Sequence, residues 1–191
     1  GVQTCALPIS AIQVFEANTL EQIAEWRSKT TPVEGQIKTL KAIMQTLRDV
    51  GVYQIYWSVE NNTIGEAALV VIRDVGEENF PGEFLTEPKR TAGARKSRKG
   101  FSTTKRSKNE ACIQLKRFIE NDKMKLYSKA LISELKNFVA YSDTYRAKPG
   151  EHDDLVMSLV LAIRLIDYIS TFEDKVRSEE RRVGKECATG C

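Results

Sequence analysis

Two adjacent carboxylates open a strongly apolar helical run in the segment Gly150–Leu159, which reads GEHDDLVMSL. Aspartate is a preferred residue at a helix start, so capping accounts for one of the pair. A second adjacent aspartate adds little to capping, and two like charges against an apolar helix are unfavourable unless a cation compensates. Asp153 and Asp154 are therefore candidate ligands of a divalent metal ion, with N-capping as the alternative.

A second acidic position follows the most strand-like stretch of the chain, Val52–Val59. Its β-branched and aromatic residues predict a strand that is buried on both faces. Glu60 would then lie at the carboxyl end of that strand, where functional groups gather in open α/β sheets. The alternative is a turn glutamate that favours the dipole of the next helix. Carboxylates gathered from a strand end and a helix start can hold the metal ions that cleave phosphodiesters.

A basic stretch from Lys89 to Lys108 lies between the two acidic positions, although the net charge of the chain is only +3. Glycine, serine and threonine are interleaved with its cations, so backbone N–H and hydroxyl groups can join the cations at phosphates. Such binding would be largely independent of sequence and sensitive to salt. The alternative is a solvated loop. The candidate nucleic-acid contacts are Lys96, Arg98, Lys99, Thr103, Thr104, Lys105, Arg106 and Lys108.

The composition of the 191 residues, 41% apolar and 29% charged, fits one domain with a core of its own. No apolar run approaches the roughly 20 residues that a membrane span requires. The N-terminus lacks a charged start followed by an apolar block, so secretion is not predicted. Of the four cysteines, Cys112 alone lies in a helical pattern, and we expect it to be a small buried residue in a reducing compartment.

The order of the predicted elements indicates an α/β protein. Residues 11–17 and 20–28 predict a β-hairpin, and apolar residues at helical spacing follow between Thr31 and Gly51. Beyond the strand that precedes Glu60, we predict helices at 64–75, 107–120, 130–138 and 152–168, short strands at 83–86 and 124–127, and a polar loop at 141–150. Strands alternating with helices predict a sheet flanked by helices.

The two ends of the chain resemble translated sequencing adapters, and they share no periodicity with the rest. We therefore predict non-native tails at residues 1–10 and 177–191, on either side of a domain that covers residues 11–176. Such tails should pack poorly and have no regular partner. The alternative is an ordinary pair of frayed termini.

Taken in their order, five motifs resemble the C-terminal nuclease domain of the large terminase subunit of tailed bacteriophages. They are VENN at 59–62, KGFSTT at 99–104 with Lys108, the helix end at 119–120, ISELKNF at 132–138 and GEHDDLVMSL at 150–159. The resemblance implies an RNase H-like mixed sheet flanked by helices. It also implies an endonuclease that cuts concatemeric double-stranded DNA during viral genome packaging, in the cytoplasm of an infected bacterium. The family usually works with a small terminase subunit and a portal protein.

The resemblance also implies roles for the acidic residues. Glu60 matches the middle catalytic acid of the family, and the pair Asp153 and Asp154 matches its C-terminal acid, with either aspartate as the main ligand. Two ions, Mg²⁺ or Mn²⁺, are implied for the intact domain. His152 and Asn61 are secondary candidates for the site.

One family feature is expected to be missing from this chain. The first catalytic aspartate of the family lies on a strand before the one that begins at Ala11, and no ATPase motor or phosphate-binding loop is recognisable. We therefore expect a sheet that lacks its first strand and has open edges. An incomplete site should bind metal weakly and cleave little or no DNA. Two alternatives stay open: another RNase H-like nuclease of the resolvase or transposase type, and a non-catalytic DNA-binding module whose acids lie well apart.

Overall fold

A computed structural model describes the backbone of residues 2–6, 11–61, 63–87 and 99–188, and the side chains of residues 11–61, 65–87 and 99–171. In chain order its strands and helices are β1 (Val2–Ala6), β2 (Ala11–Glu16), β3 (Glu21–Arg27), α1 (Val33–Asp49), β4 (Ile55–Val59), α2 (Thr63–Val75), β5 (Glu83–Phe84), α3 (Lys105–Glu120), α4 (Lys129–Asn137), β6 (Phe138–Tyr141), β7 (Thr144–Ala147) and α5 (Asp154–Ala188).

A mixed sheet of five strands has the order β3-β2-β1-β4-β5. The central strand β1 pairs antiparallel with β2 and parallel with β4. At the edges, β3 pairs antiparallel with β2, as the predicted hairpin requires, and β5 pairs parallel with β4. Strands β6 and β7 form a separate antiparallel pair. This arrangement confirms the predicted α/β sheet with flanking helices.

Helices cover both faces of the sheet and bury two clusters of apolar side chains. The first cluster joins α1 and α2 to one face through Ile12, Val14, Ile37, Leu40, Met44, Trp57, Ala68 and Ile72. The second joins α3, α4 and α5 to the other face through Ala11, Phe15, Leu115, Leu131, Leu155, Leu159 and Ile163. Because successive residues of β2 contribute to opposite clusters, this strand is buried on both faces.

The first turns of α5 are apolar around most of the helix and are almost completely buried. A helix of this kind must be covered on several sides, and α5 packs against β1, β2, α3 and α4. It begins at Asp154, close to the predicted start, but its backbone runs to Ala188 instead of ending near residue 168. Within the described part of the chain, no helix is both long and apolar enough to cross a membrane.

The expectation that the N-terminal residues have no regular partner is wrong for β1. Val2 pairs with Glu16 of β2 and with Ile55 of β4. Without β1, the facing edges of β2 and β4 would leave rows of unpaired N–H and C=O groups in the middle of the sheet. A strand inserted there pairs with both edges, so the expected gap in the sheet is filled. The non-native origin of the two end segments stays a prediction.

The polar loop predicted at residues 141–150 is also wrong, because most of it belongs to the hairpin of β6 and β7. The strands pair from Phe138 opposite Ala147 to Tyr141 opposite Thr144. The rings of Phe138 and Tyr145 stack across the hairpin with centroids 6.2 Å apart. Cross-strand aromatic contacts of this kind stabilise a pair of strands.

The short strand predicted at residues 124–127 is reduced to a single bridge between Glu21 and Lys125. The N–H groups of the next residues do not continue the ladder. Those of Tyr127 and Ser128 donate instead to the side-chain oxygen of Gln22, at 2.8 Å and 2.9 Å. The buried glutamine therefore satisfies the backbone groups that a longer strand would have used.

We predict that Gly82→Ala lowers the free energy of unfolding more than Gly51→Ala does. Both glycines have a positive φ, +88° and +92°, a conformation that costs an L-residue about 1–2 kcal/mol. A Cβ at residue 82 would also lie 2.3 Å from the backbone oxygen of Ile55, whereas a Cβ at residue 51 would meet nothing within 4 Å. We therefore expect a further loss of about 1–3 kcal/mol for Gly82→Ala in urea unfolding. Equal losses would show that β5 moves away from β4 without resistance.

Candidate functional site

Strand β4 delivers Glu60 to the carboxyl end of the sheet, as the sequence predicts. Glu60 forms a parallel bridge with Phe101 and is 5% exposed. The N–H of Phe101 donates to the oxygen of Val59 at 3.0 Å, and the N–H of Asn61 donates to the oxygen of Phe101 at 2.8 Å. This close approach requires glycine at residue 100, where a Cβ would lie 2.6 Å from the Val59 oxygen. The backbone on both sides of the carboxylate is therefore fixed.

Burial raises the pKa of the Glu60 carboxyl group, because the charged form loses hydration. Three neighbours oppose that effect and favour the ionised form: a hydrogen bond with the side chain of Thr103, and the positive charges of Arg164 and Lys108. Glu60 is thus a buried acid whose ionised form depends on positive charge nearby. A bound cation would stabilise such a carboxylate further.

Arg164 reaches this region from α5, and it also holds the chain beside Glu60. Its Nη2 lies 2.9 Å from Oε1 of Glu87, and its guanidinium carbon lies 5.2 Å from the centre of the Phe101 ring. The other carboxylate oxygen of Glu87 accepts the N–H of Ser102 at 3.1 Å. Through these contacts, α5 holds Glu87 and residues 101–102, which lie on either side of residues 88–98.

The two aspartates at the start of α5 do not cap the helix with their side chains. Asp153 immediately precedes the helix, and its Oδ2 accepts a long hydrogen bond, 3.4 Å, from the N–H of Ala147. The free N–H groups of Leu155 and Val156 donate instead to Oε2 of Glu134 on α4, at 2.8 Å and 3.3 Å. Capping therefore does not account for the pair of aspartates, because another residue performs it.

Asp154 lies on the side of the helix start that approaches the end of β3. Burial raises the pKa of Asp154, and the neighbouring charge of Asp153 raises it further. His152, Arg27 and Lys29 lower it by their positive charge. The secondary candidate His152, which is exposed, therefore contributes to the electrostatics of the aspartate pair.

Lys108 and Cys112 lie one turn apart on α3, and they connect Glu60 with Asp153. Lys108 is within electrostatic range of both Glu60 and Cys112, and Asp153 is within range of Cys112. Glu60 and Asp153 are thus both within electrostatic range of this turn of α3.

The donor atoms at this place fit a divalent cation in their chemistry. Carboxylate oxygens are the ligands that Mg²⁺ prefers. The secondary candidate Asn61 adds a buried Oδ1 that has no hydrogen-bond partner among the described residues, while its Nδ2 donates to the oxygen of Lys99 at 3.0 Å. However, no group of three His, Cys, Asp or Glu side chains within the described part of the chain is close enough to hold a metal. The central strand β1, with the sequence VQTCA, contributes no acid.

Of the predicted nucleic-acid contacts that the structure describes, two are neighbours of Glu60 and the others have different roles. Thr103 and Lys108 are its neighbours, whereas Thr104 caps α3 by accepting the N–H of Ser107 at 3.1 Å. Exposed ion pairs occupy Lys99 with Glu77, Lys105 with Asp143 and Arg106 with Glu110. Lys96 and Arg98 lie outside the described residues. Because exposed ion pairs are weak, the paired cations can exchange their partners for phosphates.

The family model of the terminase RNaseH-like domain matches residues 8–165 of this chain. The chain belongs to this family. Similar solved structures are those of the large terminase nuclease from thermophilic phage G20c, with bound cobalt and with bound magnesium. They are 17% and 18% identical in sequence, both with a TM-score of 0.61, and each match covers 85% of this chain and 81% of the other. A further structure of that nuclease is 20% identical, with a TM-score of 0.56 over 85% of this chain and 78% of the other.

The family confirms the terminase nuclease domain and the RNase H-like fold that the sequence motifs imply. The alternative of a resolvase or transposase is thereby set aside. DNA is the substrate class of this nuclease family, and the two similar structures with metal hold divalent cations.

Sequence reasoning missed two partly buried ion pairs that support the site, Arg164 with Glu87 and Arg27 with Glu134. The sequence could have indicated the role of Arg164, because it is the one cation in the apolar run 155–169. No local pattern indicates the ion pair of Glu134, because its partner Arg27 is 107 residues away along the chain. Such a contact exists only after β3, α4 and α5 have packed together.

We predict that Cys112 stays largely unmodified by iodoacetamide at pH 8. Burial raises the pKa of its thiol from 9.0 to about 11, and the thiolate is the reactive form. Because the folded protein holds this proton more tightly than the unfolded chain does, stability should fall as the pH rises from about 9 towards 11. Mass spectrometry of a variant with serine at positions 5, 187 and 191 would measure the modification. The same variant in urea is the control, and fast alkylation without urea would contradict the burial.

Proposed function

We propose that this chain supplies two-ion endonuclease chemistry, with Mg²⁺ or Mn²⁺, to a terminase that cuts concatemeric double-stranded DNA. The proposed ligands are Glu60 and Asp153, with Asp154 beside them. The position of Glu60, a buried carboxylate at the carboxyl end of β4, supports this most strongly, because functional groups gather at that end of the strands in open α/β sheets. Ions bound here would lower the pKa of a water molecule and stabilise the leaving oxygen.

The remaining residues of the site hold and orient these groups. A hydrogen bond with Thr103 and the positive charge of Arg164 favour the ionised form of the Glu60 carboxylate. Lys108 favours the ionised form of Glu60 in the free protein and can bind a phosphate oxygen once other cations take over that role. The Oδ1 of Asn61 can accept a hydrogen bond from a water molecule beside Glu60. Each of these roles follows from a contact or a charge next to the carboxylate.

DNA binding is assigned to the cations of the basic stretch. Lys99, Lys105 and Arg106 are exposed, and Lys96 and Arg98 belong to the same stretch. Contacts of this type go to phosphates and position the duplex without reading its sequence. The affinity should therefore fall steeply as the salt concentration rises.

The setting of the activity is proposed from the family resemblance. It comprises a small terminase subunit and a portal protein as partners, and the cytoplasm of an infected bacterium as the location. We also propose residues 11–176 as the native domain, with non-native tails on either side.

We predict that this chain nicks supercoiled plasmid slowly or not at all in Mg²⁺ or Mn²⁺. The reason is that the central strand carries no carboxylate beside the one that Glu60 provides. Any residual nicking should disappear in Glu60→Ala, and a gel assay of plasmid forms would measure both proteins. Robust cleavage that depends on Glu60 would show that the site is complete without an acid from β1.

We predict that Cys5→Asp increases metal-dependent nicking, by about tenfold or more. Cys5 pairs in register with Ser58, two residues before Glu60. Because strand positions repeat every two residues, position 5 is equivalent to that of Glu60, whereas position 4 is not. Thr4→Asp is therefore the matched control, since it adds the same charge to the same strand. Equal effects of the two substitutions would contradict the proposed geometry.

A second candidate function is DNA binding without cleavage. It is favoured by the absence of a three-ligand metal group among the described side chains. The two candidate functions predict different results for Cys5→Asp in the plasmid assay, since only the nuclease should gain nicking activity. Unchanged DNA affinity together with no gain in nicking would favour the binding module.

A further inference from the structure

The motif ISELKNF at residues 132–138 has no role in the proposed site, yet it contains a deeply buried acid. Glu134 is 7% exposed and lies on the face of α4 that packs against α5. Its Oε1 lies 2.9 Å from Nη1 of Arg27, the last residue of β3. A buried carboxylate with an arginine partner is anchored in a fixed orientation.

The other oxygen of Glu134 contacts the start of α5. It accepts the N–H groups of Leu155 and Val156, the second and third residues of the helix. In a helix with a side-chain N-cap, one of these two donors binds the side chain of the residue just before the helix. That residue is Asp153 here, so Glu134 performs from a different helix the role that Asp153 would ordinarily have.

The exchange of roles changes what Asp153 can bind. An aspartate that caps its own helix has an oxygen committed to the backbone N–H groups. The side chain of Asp153 instead makes a 3.4 Å contact with the N–H of Ala147, which is longer than an ordinary hydrogen bond of this type. Its carboxylate is therefore not committed to the N–H groups at the start of α5.

The capping acid adds negative charge to a place that already holds two aspartates. Asp154 is within electrostatic range of Glu134, and Arg27 is within range of both. Serine or threonine would cap the helix without this repulsion. A carboxylate differs from them in that it also binds Arg27, so it fixes the helix start to the end of β3.

We propose that Glu134 is a positioning residue: by capping α5 from α4, it leaves the carboxylate of Asp153 free to bind a divalent cation and, with Arg27, fixes that carboxylate relative to the sheet. The inference rests on the proposed function of the aspartates as metal ligands. It assigns to the ISELKNF motif a role in metal affinity beyond its role in the core.

A titration of Mn²⁺ into the full chain, labelled with ¹⁵N, tests this inference. Paramagnetic broadening of backbone amide signals locates the bound ion and gives its affinity even when binding is weak, and the same spectra show whether each variant is folded. The variants are Glu134→Ala and Glu134→Gln. The matched control is Glu151→Gln, which removes the same charge from an exposed residue near the aspartates without contacting the helix N–H groups.

We expect Glu134→Ala to weaken Mn²⁺ binding by about 10–100-fold, the range for loss of a group that orients a metal ligand. Glu134→Gln should lose less, because its amide oxygen can still accept the two N–H groups. Glu151→Gln should change the affinity by less than about threefold, since only a screened surface charge is lost. In the background of Asp153→Asn, Glu134→Ala should have little further effect, because the residue acts through Asp153.

Two results would overturn the inference. The first rejects only the positioning role of Glu134, and the second rejects the metal site as well. Wild-type Mn²⁺ affinity in folded Glu134→Ala would show that capping by Glu134 is structural only, with the metal site intact. No broadening near residues 153–156 in the unmodified chain would reject the metal site itself, and the positioning role with it. If Glu134→Ala does not fold, the affinity of Glu134→Gln decides: a loss greater than that of Glu151→Gln supports the inference, and an equal loss rejects it.

Discussion

The burial of α5 against the sheet is the constraint on which the rest of this structure depends. Its first turns are apolar on nearly every side, and each large side chain removed from water there stabilises the fold by roughly 1.5–3 kcal/mol. A helix is rigid, so packing it also fixes what it carries. The docking of α5 therefore fixes two features relative to Glu60. They are the aspartates at the start of the helix and Arg164, ten residues or about 15 Å further along.

The acids of the site are buried only where a cation accompanies them. Glu60 has Arg164 and Lys108, Glu134 has Arg27, and Asp154 lies within range of basic residues at the end of β3. Such pairs offset the loss of hydration that burial causes, but they leave each acid sensitive to the loss of its partner. In the proposed function, a metal ion would use the negative charge of Glu60 and of the aspartates at the start of α5.

Local sequence patterns predicted most of the elements, and long-range pairing explains the failures. Strand β4 and helices α1 and α2 appear close to their predicted bounds, because apolar spacing and turn residues encode them within a few residues. The hairpin of β6 and β7 was missed, since each strand has only four residues and a cross-strand contact of Phe138 with Tyr145 contributes to its stability. The strand at Val2–Ala6 was missed because residues 1–10 were interpreted as a non-native tail, although one partner, β2, follows a few residues later.

The sequence by itself determined the positions of Glu60 and the two aspartates, the sheet with its flanking helices, and the family. Each of these follows from a short motif or from apolar residues that recur every two residues in a strand or every 3.6 residues in a helix. Only the tertiary structure decided that Glu60 and Asp153 are both within electrostatic range of one turn of α3. It alone decided that Glu134 caps α5, because the bond joins groups more than 20 residues apart. Contacts of that kind depend on how helices pack, which no local pattern specifies.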